Sequence, residues 1–245
     1  MIEDNSYSQM QRDYYTKEAI KWSMGYKDPV VGEWDNQNWW PGYEWLWQGL
    51  FTKGKIALDF ATGPGRNIIK YKDRFSRIDG VDFSALIEKC KLHLTTCNIE
   101  LPKLYVTNGY NLQEPDYVPS NTYDFVFSTI AFQHIAVYDI RFNYLKEFFR
   151  VLKSGGWISI QMGYGKFPSG VQTIPTVHYY DNVYDALGTN GHLDTRCEST
   201  DYLEKDLASI GYINFSYTIT DQGWPGTASV HPNWIFFKAQ KPNED

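Results

Sequence analysis

"DFATGPGRNI", Asp59–Ile68, sets two glycines, a proline and an arginine between an apolar run and an amphipathic one. The run before it, Lys55–Phe60 ("KIALDF"), reads as a short buried strand. The residues after it, Asn67–Phe75 ("NIIKYKDRF"), put Ile68, Ile69, Tyr71, Lys72 and Phe75 at the three- and four-residue spacings of a helix face. Strand, glycine turn and helix start together make a ligand pocket at the carboxyl end of a strand. Glycine lets backbone approach a ligand closely, and the N–H groups of a helix start attract anionic groups.

Outward from this turn the chain alternates. Arg77–Ser84 ("RIDGVDFS") is a strand ending in an acid. A helix over Ser84–Leu94 follows, with Leu86, Ile87, Cys90 and Leu94 on one face and Ser84 as its N-cap. Lys103–Asn108 and Tyr123–Thr129 are further strands. Asp139–Lys153 is an amphipathic helix with Ile140, Tyr144, Leu145, Phe148 and Leu152 on one side; it stops at Gly155–Gly156 and feeds a strand over Gly156–Met162. This alternation predicts an α/β protein with a Rossmann-like, doubly wound parallel sheet. Ser199–Tyr212 restores a helix, capped by Ser199 or Thr200. Ile213–Thr220 and Asn233–Gln240 then follow as two strands with no helix between them, which predicts an antiparallel pair.

Composition narrows the function classes. A formal charge of −6 argues against a long nucleic-acid partner, whose phosphates want a basic surface. No run of about 18 apolar residues is present, so no membrane span is expected. The polar, acidic first residues are unlike a secretory signal, which predicts a cytoplasmic protein. Cys90, Cys97 and Cys197 form no CxxC pair and read as reduced thiols, and no metal-ligand spacing occurs. Aromatic residues are abundant, at 17%, with nine Trp and nineteen Tyr. The richest stretch, Glu33–Phe51, reads either as a flap packed on the sheet or as an aromatic-walled substrate pocket.

Two cofactor classes compete for the opening turn. A nicotinamide fingerprint, GxGxxG, needs a third glycine that lets helix and strand close up beneath a pyrophosphate; here Gly63 and Gly65 are followed by Arg66, Asn67 and Ile68. The Tyr-x-x-x-Lys pair of one oxidoreductase class is absent, as is the GxSxG turn of nucleophilic hydrolases. Asp82, 23 residues after Asp59, ends the second strand, where an acid accepts both hydroxyls of a ribose. Asn108 follows the third strand, near where an adenine edge would lie, and Asn108-Gly109 is equally an ordinary turn dipeptide.

In ordered combination, "LDFATGPGRN", "GVDFS" and "FFRVLKSGGWISI" resemble the class I S-adenosylmethionine-dependent methyltransferases of the small-molecule type, over roughly residues 55–162. The resemblance implies a seven-stranded sheet with an antiparallel last strand and S-adenosyl-L-methionine as cofactor. It assigns Asp59, Ala61, Gly63 and Gly65 to the methionine and ribose side, Asp82 to the ribose hydroxyls, and Phe83, Asn108 and Gly109 to the adenine. Ser128 would offer its backbone carbonyl to the cofactor's amino group, and Arg66 would pair with a carboxylate or stand solvated. Two departures are plain: Ala61 replaces the first glycine of the usual Gly-x-Gly-x-Gly, and Asn108 stands where an acid is usual.

His134, after the fourth strand, falls where the methyl group would be transferred and has the pKa range of a general base; the alternative is a structural histidine beneath the loop. Trp39, Trp40, Tyr43, His178, Tyr179 and His192 are the expected substrate-binding residues. One domain is expected over 1–245: a helical, aromatic-rich cap (1–53), a cofactor-binding core (54–162), a lid insertion (163–198) and a C-terminal helix and strand pair (199–245). The cap should contain a helix within Ser8–Tyr26 and a Trp-rich helix starting near Pro41. The predicted activity is methyl transfer to an oxygen or nitrogen of a small molecule, a sugar or amine among them. The rival readings are a catalytically silent cofactor-binding subunit or sensor, and a nicotinamide-dependent oxidoreductase.

Overall fold

The computed structural model describes residues 6–23, 43–165, 176–178, 194–197, 199–220 and 233–244. Strands β1 (Ile56–Phe60), β2 (Arg77–Asp82), β3 (Leu104–Val106), β4 (Tyr123–Ser128) and β5 (Leu152–Tyr164) run parallel in the order β3-β2-β1-β4-β5. They alternate with α2 (Arg66–Tyr71), α3 (Ser84–Thr96) and α4 (Tyr138–Val151). Two short strands, β6 (Thr176–His178) and β7 (Asp194–Cys197), precede α5 (Thr200–Ile210). The chain then closes with β8 (Ile213–Thr220) and β9 (Asn233–Gln240). β9 runs antiparallel to both β5 and β8, so seven strands stand in the order β3-β2-β1-β4-β5-β9-β8 with one reversed, as the terminal strands predicted.

The sheet separates two apolar layers by the two-residue period of its strands. Val126, Ile158, Ile160 and Phe237 face a core with Tyr144, Leu145 and Phe148 of α4. Their neighbours Phe125, Phe127 and Phe236 face Ile68, Tyr71 and Phe75 from α2 and the turn beyond it. Trp47, in a 3-10 helix over Tyr43–Trp47, meets Phe75 and Phe127 edge-on at 5.0 Å and Tyr71 at 5.2 Å. Tyr43, Leu46 and Trp47 are therefore core packed on the sheet while Phe51 is exposed, and the helix expected from Pro41 is, among the described residues, a 3-10 helix.

The helix stripes fall where the spacing puts them: Leu86, Ile87, Cys90 and Leu94 are all buried. Three local expectations are corrected. Ser84 is the first residue of α3, with Phe83 at the N-cap and no side-chain cap. α4 ends at Val151, because Leu152 already pairs with Tyr123 in the sheet. The stretch expected to be an unpatterned insertion carries β6 and β7, and Gly163 and Tyr164 of β5 pair with Arg196 and Cys197 of β7. The two segments fit on one edge of β5 because β4 ends at Ser128, opposite Ile160. Ser199 does cap α5, its hydroxyl accepting the Asp201 N–H at 3.3 Å.

Candidate active site

β1 delivers Asp59 to the carboxyl edge of the sheet and then turns sharply. Ala61 takes φ 57°, a left-handed conformation that costs any residue with a Cβ. The turn is held by Thr62 N–H to the Val81 carbonyl at 3.2 Å and Gly65 N–H to the Thr62 carbonyl at 3.0 Å. Gly65, at φ 87°, opens α2; a Cβ there would sit 2.9 Å from the Cys90 sulfur, so glycine lets the loop lie directly on α3.

Two carboxyl groups flank this loop, both at most 5% exposed. Asp59 accepts from Thr62 Oγ1 at 2.8 Å and Asn67 Nδ2 at 3.1 Å. Asp82 accepts from the backbone N–H groups of Gly63 and Phe83, each at 2.7 Å. Burial pushes Asp59 up to about 7; its hydrogen bonds and Arg66 pull the other way, and Asp82 adds to the rise. Burial likewise raises Asp82 to about 7 against its two N–H partners. Neither carboxyl has a lysine or arginine salt bridge within 4 Å among the described residues.

Between these acids and the end of β4 lies a polar cluster. Asn67 Nδ2 also donates to Thr129 Oγ1 at 2.9 Å, and the Tyr43 hydroxyl lies beside Thr129 and the Arg66 guanidinium. Among the described residues, Ser128 Oγ, Asn67 Oδ1 and Gln161 Nε2 are buried here without a hydrogen-bond partner. Buried polar groups left so are costly unless a ligand or water meets them. Paired acids without a lysine or arginine salt bridge, with unpartnered donors and acceptors beside them, suit a ligand that is cationic and rich in hydroxyls. S-adenosylmethionine, with its sulfonium, ammonium and ribose diol, has that chemistry.

The site includes an element that sequence reading left out of it, helix α1 (Ser6–Ser23). The Tyr7 hydroxyl donates to the His134 carbonyl at 2.8 Å and accepts from Ala136 N–H at 2.9 Å, while Gln11 Nε2 donates to the same carbonyl at 2.8 Å. Ser8 Oγ donates to the Gly109 carbonyl at 3.0 Å, and Tyr15 stacks over Phe83 at 6.4 Å. One helix thus spans from the loops after β2 and β3 to the turn after β4. The signal was present as Tyr7, Gln11, Tyr15 and Ala19 at four-residue spacing, masked by the polar members of the stripe.

The sequence-derived residues separate accordingly. Asp59, Ala61, Gly63, Gly65, Arg66, Asp82, Phe83 and Ser128 gather at the carboxyl edge of β1, β2 and β4. Asn108 is a correction: its amide oxygen accepts the N–H groups of Tyr110 at 2.8 Å and Asn111 at 3.0 Å, so both lone pairs build the turn rather than await an adenine. Gly109 packs against Phe83 and Ser8. Tyr43 is also corrected, from substrate wall to core: it is buried, rests edge-on against Phe236 at 5.7 Å, and its hydroxyl is raised to about 12 by burial. His134 closes the 3-10 helix Ala131–His134 directly after β4. His178 ends β6, in register with Arg196. Trp39, Trp40, Tyr179 and His192 lie outside the described residues.

Among the described residues no group of His, Cys, Asp and Glu is placed to hold a metal ion, and no helix is long and apolar enough to cross a membrane. Residues 58–160 match the family model of a methyltransferase domain. No curated protein matches the chain in sequence. Similar solved structures include a candidate methyltransferase of Bacillus halodurans C-125, at 14% identity and TM-score 0.54, covering 78% of this chain and 94% of that one. A chain from the complex of the Haloferax volcanii Trm112 methyltransferase activator with a candidate methyltransferase covers 96% and 97%, at 14% identity and TM-score 0.59. Haemonchus contortus phosphoethanolamine N-methyltransferase 2, bound to phosphomonomethylethanolamine and S-adenosylhomocysteine, matches at 17% identity and TM-score 0.56 over 82% of this chain and 54% of its own.

Proposed function

We propose that the chain is a class I S-adenosylmethionine-dependent methyltransferase, as the methyltransferase-domain match over residues 58–160 supports, and that it methylates an oxygen or nitrogen of a small molecule, a sugar or amine. The observation that supports the cofactor site most strongly is the pair of buried acids, Asp59 and Asp82, flanking the Ala61–Gly65 turn without a salt-bridging lysine or arginine among the described residues.

When bound, the cofactor supplies an electrophilic methyl group on a sulfonium. Asp82 would hold the ribose hydroxyls, the ionised carboxylate accepting from both. Phe83, held by Tyr15, offers a flat apolar surface for the adenine. Asp59 keeps the loop in shape through Thr62 and Asn67, and Arg66, beside the Tyr43 hydroxyl, is a candidate cation for the cofactor carboxylate. Much of the acceleration in such a displacement comes from alignment in a dry pocket, which the clamped turn after β4 and helix α1 would provide. A hydroxyl or ammonium acceptor must also lose a proton, and His134 is the candidate to take it. The aromatic and histidine residues at 39, 40, 178, 179 and 192 are the candidate acceptor wall.

The test is release of S-adenosylhomocysteine from S-adenosylmethionine over a panel of sugars, amino sugars and amines. Turnover is expected with one of these classes, and His134→Gln should lower it by about 100-fold with cofactor affinity unchanged. Tight cofactor binding with no turnover across the panel contradicts the acceptor reading.

A further inference from the structure

The turn after β4 contains a backbone conformation that its residue disfavours. Ile130, β-branched, sits at φ 69° and ψ −39°. The Ala131 N–H donates to the Thr129 carbonyl at 2.8 Å across it, which makes Ile130 the centre of a γ-turn of the rare, strained hand. Such a conformation persists only where its surroundings over-determine it.

The restraint at its near end is Gln161. This residue lies on β5 one position past Ile160, the partner of Ser128, and is in register with Phe236 of β9. It is wholly buried, and its Oε1 accepts the Ile130 N–H at 2.5 Å. The Ile130 side chain is itself buried, in the same apolar cluster as Phe127, Trp234 and Phe236. At the far end Tyr7 and Gln11 grip the His134 carbonyl, so the segment is tied down on both sides. A methionine would fill about the same space without leaving a polar atom unpartnered, as Gln161 Nε2 is among the described residues.

Ser128 lies two residues before Ile130, and its carbonyl is the one that the resemblance gives to the cofactor's amino group. We propose that Gln161 is a positioning residue for the cofactor's aminoacyl end: by holding the Ile130 N–H it fixes the direction of the chain through Ser128 and Thr129, and so the carbonyl offered to the ammonium. The assignment rests on the cofactor reading above. It predicts a loss confined to one end of the ligand, which a general weakening of the fold would not produce.

The experiment is calorimetric titration of the full chain with S-adenosylhomocysteine and with 5′-methylthioadenosine, which shares the nucleoside but lacks the aminoacyl group. In Gln161→Met the dissociation constant for S-adenosylhomocysteine should rise about ten-fold, the equivalent of one hydrogen bond, and that for 5′-methylthioadenosine by less than about two-fold. Gln161→Glu keeps an acceptor for the Ile130 N–H; its ratio of the two constants should stay within about three-fold of wild type, and this variant carries the test if the methionine variant does not fold. Adding Ile130→Gly to Gln161→Met should restore S-adenosylhomocysteine binding, because glycine adopts the positive φ unaided. Equal losses for both ligands, no loss for either, or a glutamate variant as selectively impaired as the methionine variant overturns the assignment. A wild-type protein that binds neither ligand overturns the cofactor reading instead.

Discussion

The two ends of the same parallel sheet treat their carboxylates in opposite ways. At the amino end, Asp124 opens β4 with the Ile56 N–H at 2.9 Å, Lys153 Nζ at 2.9 Å and Lys55 Nζ at 3.3 Å. Partial burial pushes this carboxyl up, but the Ile56 N–H and the two lysines outweigh it and hold the group below its ordinary value. At the carboxyl end, Asp59 and Asp82 have no lysine salt bridge among the described residues, and burial carries both to about 7, against the pull of Arg66 on Asp59. One end is a finished electrostatic structure. The other holds buried acids, unpartnered polar atoms and left-handed residues side by side. In open α/β sheets ligands bind outside the carboxyl ends of strands, and for that reason the acids at this end are the ones proposed to serve binding.

Exchanging the acids should therefore separate the two properties. The largest effect expected is on binding: Asp82→Ala should weaken S-adenosylhomocysteine by about 100-fold, the worth of two charge-assisted hydrogen bonds, in addition to the stability cost of leaving the Gly63 and Phe83 N–H groups without their acceptor. Asp124→Ala should cost stability alone. It leaves the Ile56 N–H without its acceptor and should lower unfolding stability by about 1–2 kcal/mol in a denaturant titration, with cofactor affinity unchanged.

Titration sharpens the same contrast. A raised folded-state pKa means that the folded chain keeps protons which the unfolded chain releases from about pH 4 upward. For Asp59 and Asp82 this stability is fully present below about pH 4 and is lost as pH climbs to about 7. Asp124 contributes the opposite slope, its stability vanishing only as pH falls through its lowered pKa. Ribose hydroxyls donate, so binding takes the ionised Asp82. S-adenosylhomocysteine affinity should rise between pH 6 and 8 by up to about ten-fold per pH unit below the pKa, with a proton released on binding that calorimetry in buffers of different ionisation enthalpy reads directly. A flat profile through this range would place the ionised carboxylate outside the binding step.

The smallest effect expected is at Ala61. Glycine removes the cost of φ 57° but loosens the unfolded chain, so Ala61→Gly should stabilise the free protein by about 0.5–1 kcal/mol and leave affinity within about two-fold.

The parallel core was legible because β/α alternation and helix stripes report burial directly: the strands at 213–220 and 233–240 and the α3 stripe stand as read. The glycine turn with Asp59 and Asp82 was legible for a related reason, since special backbone residues and acids at strand ends leave a local trace. What escaped depends on contacts between distant segments. β6 and β7 are too short to carry a period. α1 joins the site through side-chain bonds to backbone carbonyls more than 100 residues away, which no local pattern encodes. Ile130 defeats propensity outright, because a β-branched residue predicts extended backbone and the tertiary environment imposes the reverse. Asn108 was misread because a turn dipeptide and a ligand contact look alike until the Tyr110 and Asn111 N–H groups are seen to take both lone pairs.

The central claim is that the acids at the carboxyl edge, and not those at the amino edge, hold an adenosyl cofactor. The most direct measurement is calorimetric titration of S-adenosylhomocysteine and NAD into the wild-type protein, Asp82→Ala and Asp124→Ala at pH 8. The account predicts micromolar binding of S-adenosylhomocysteine by the wild type and Asp124→Ala, near-complete loss in Asp82→Ala, and no binding of NAD. Binding of NAD in place of S-adenosylhomocysteine, or equal S-adenosylhomocysteine affinity in Asp82→Ala and wild type, would contradict it.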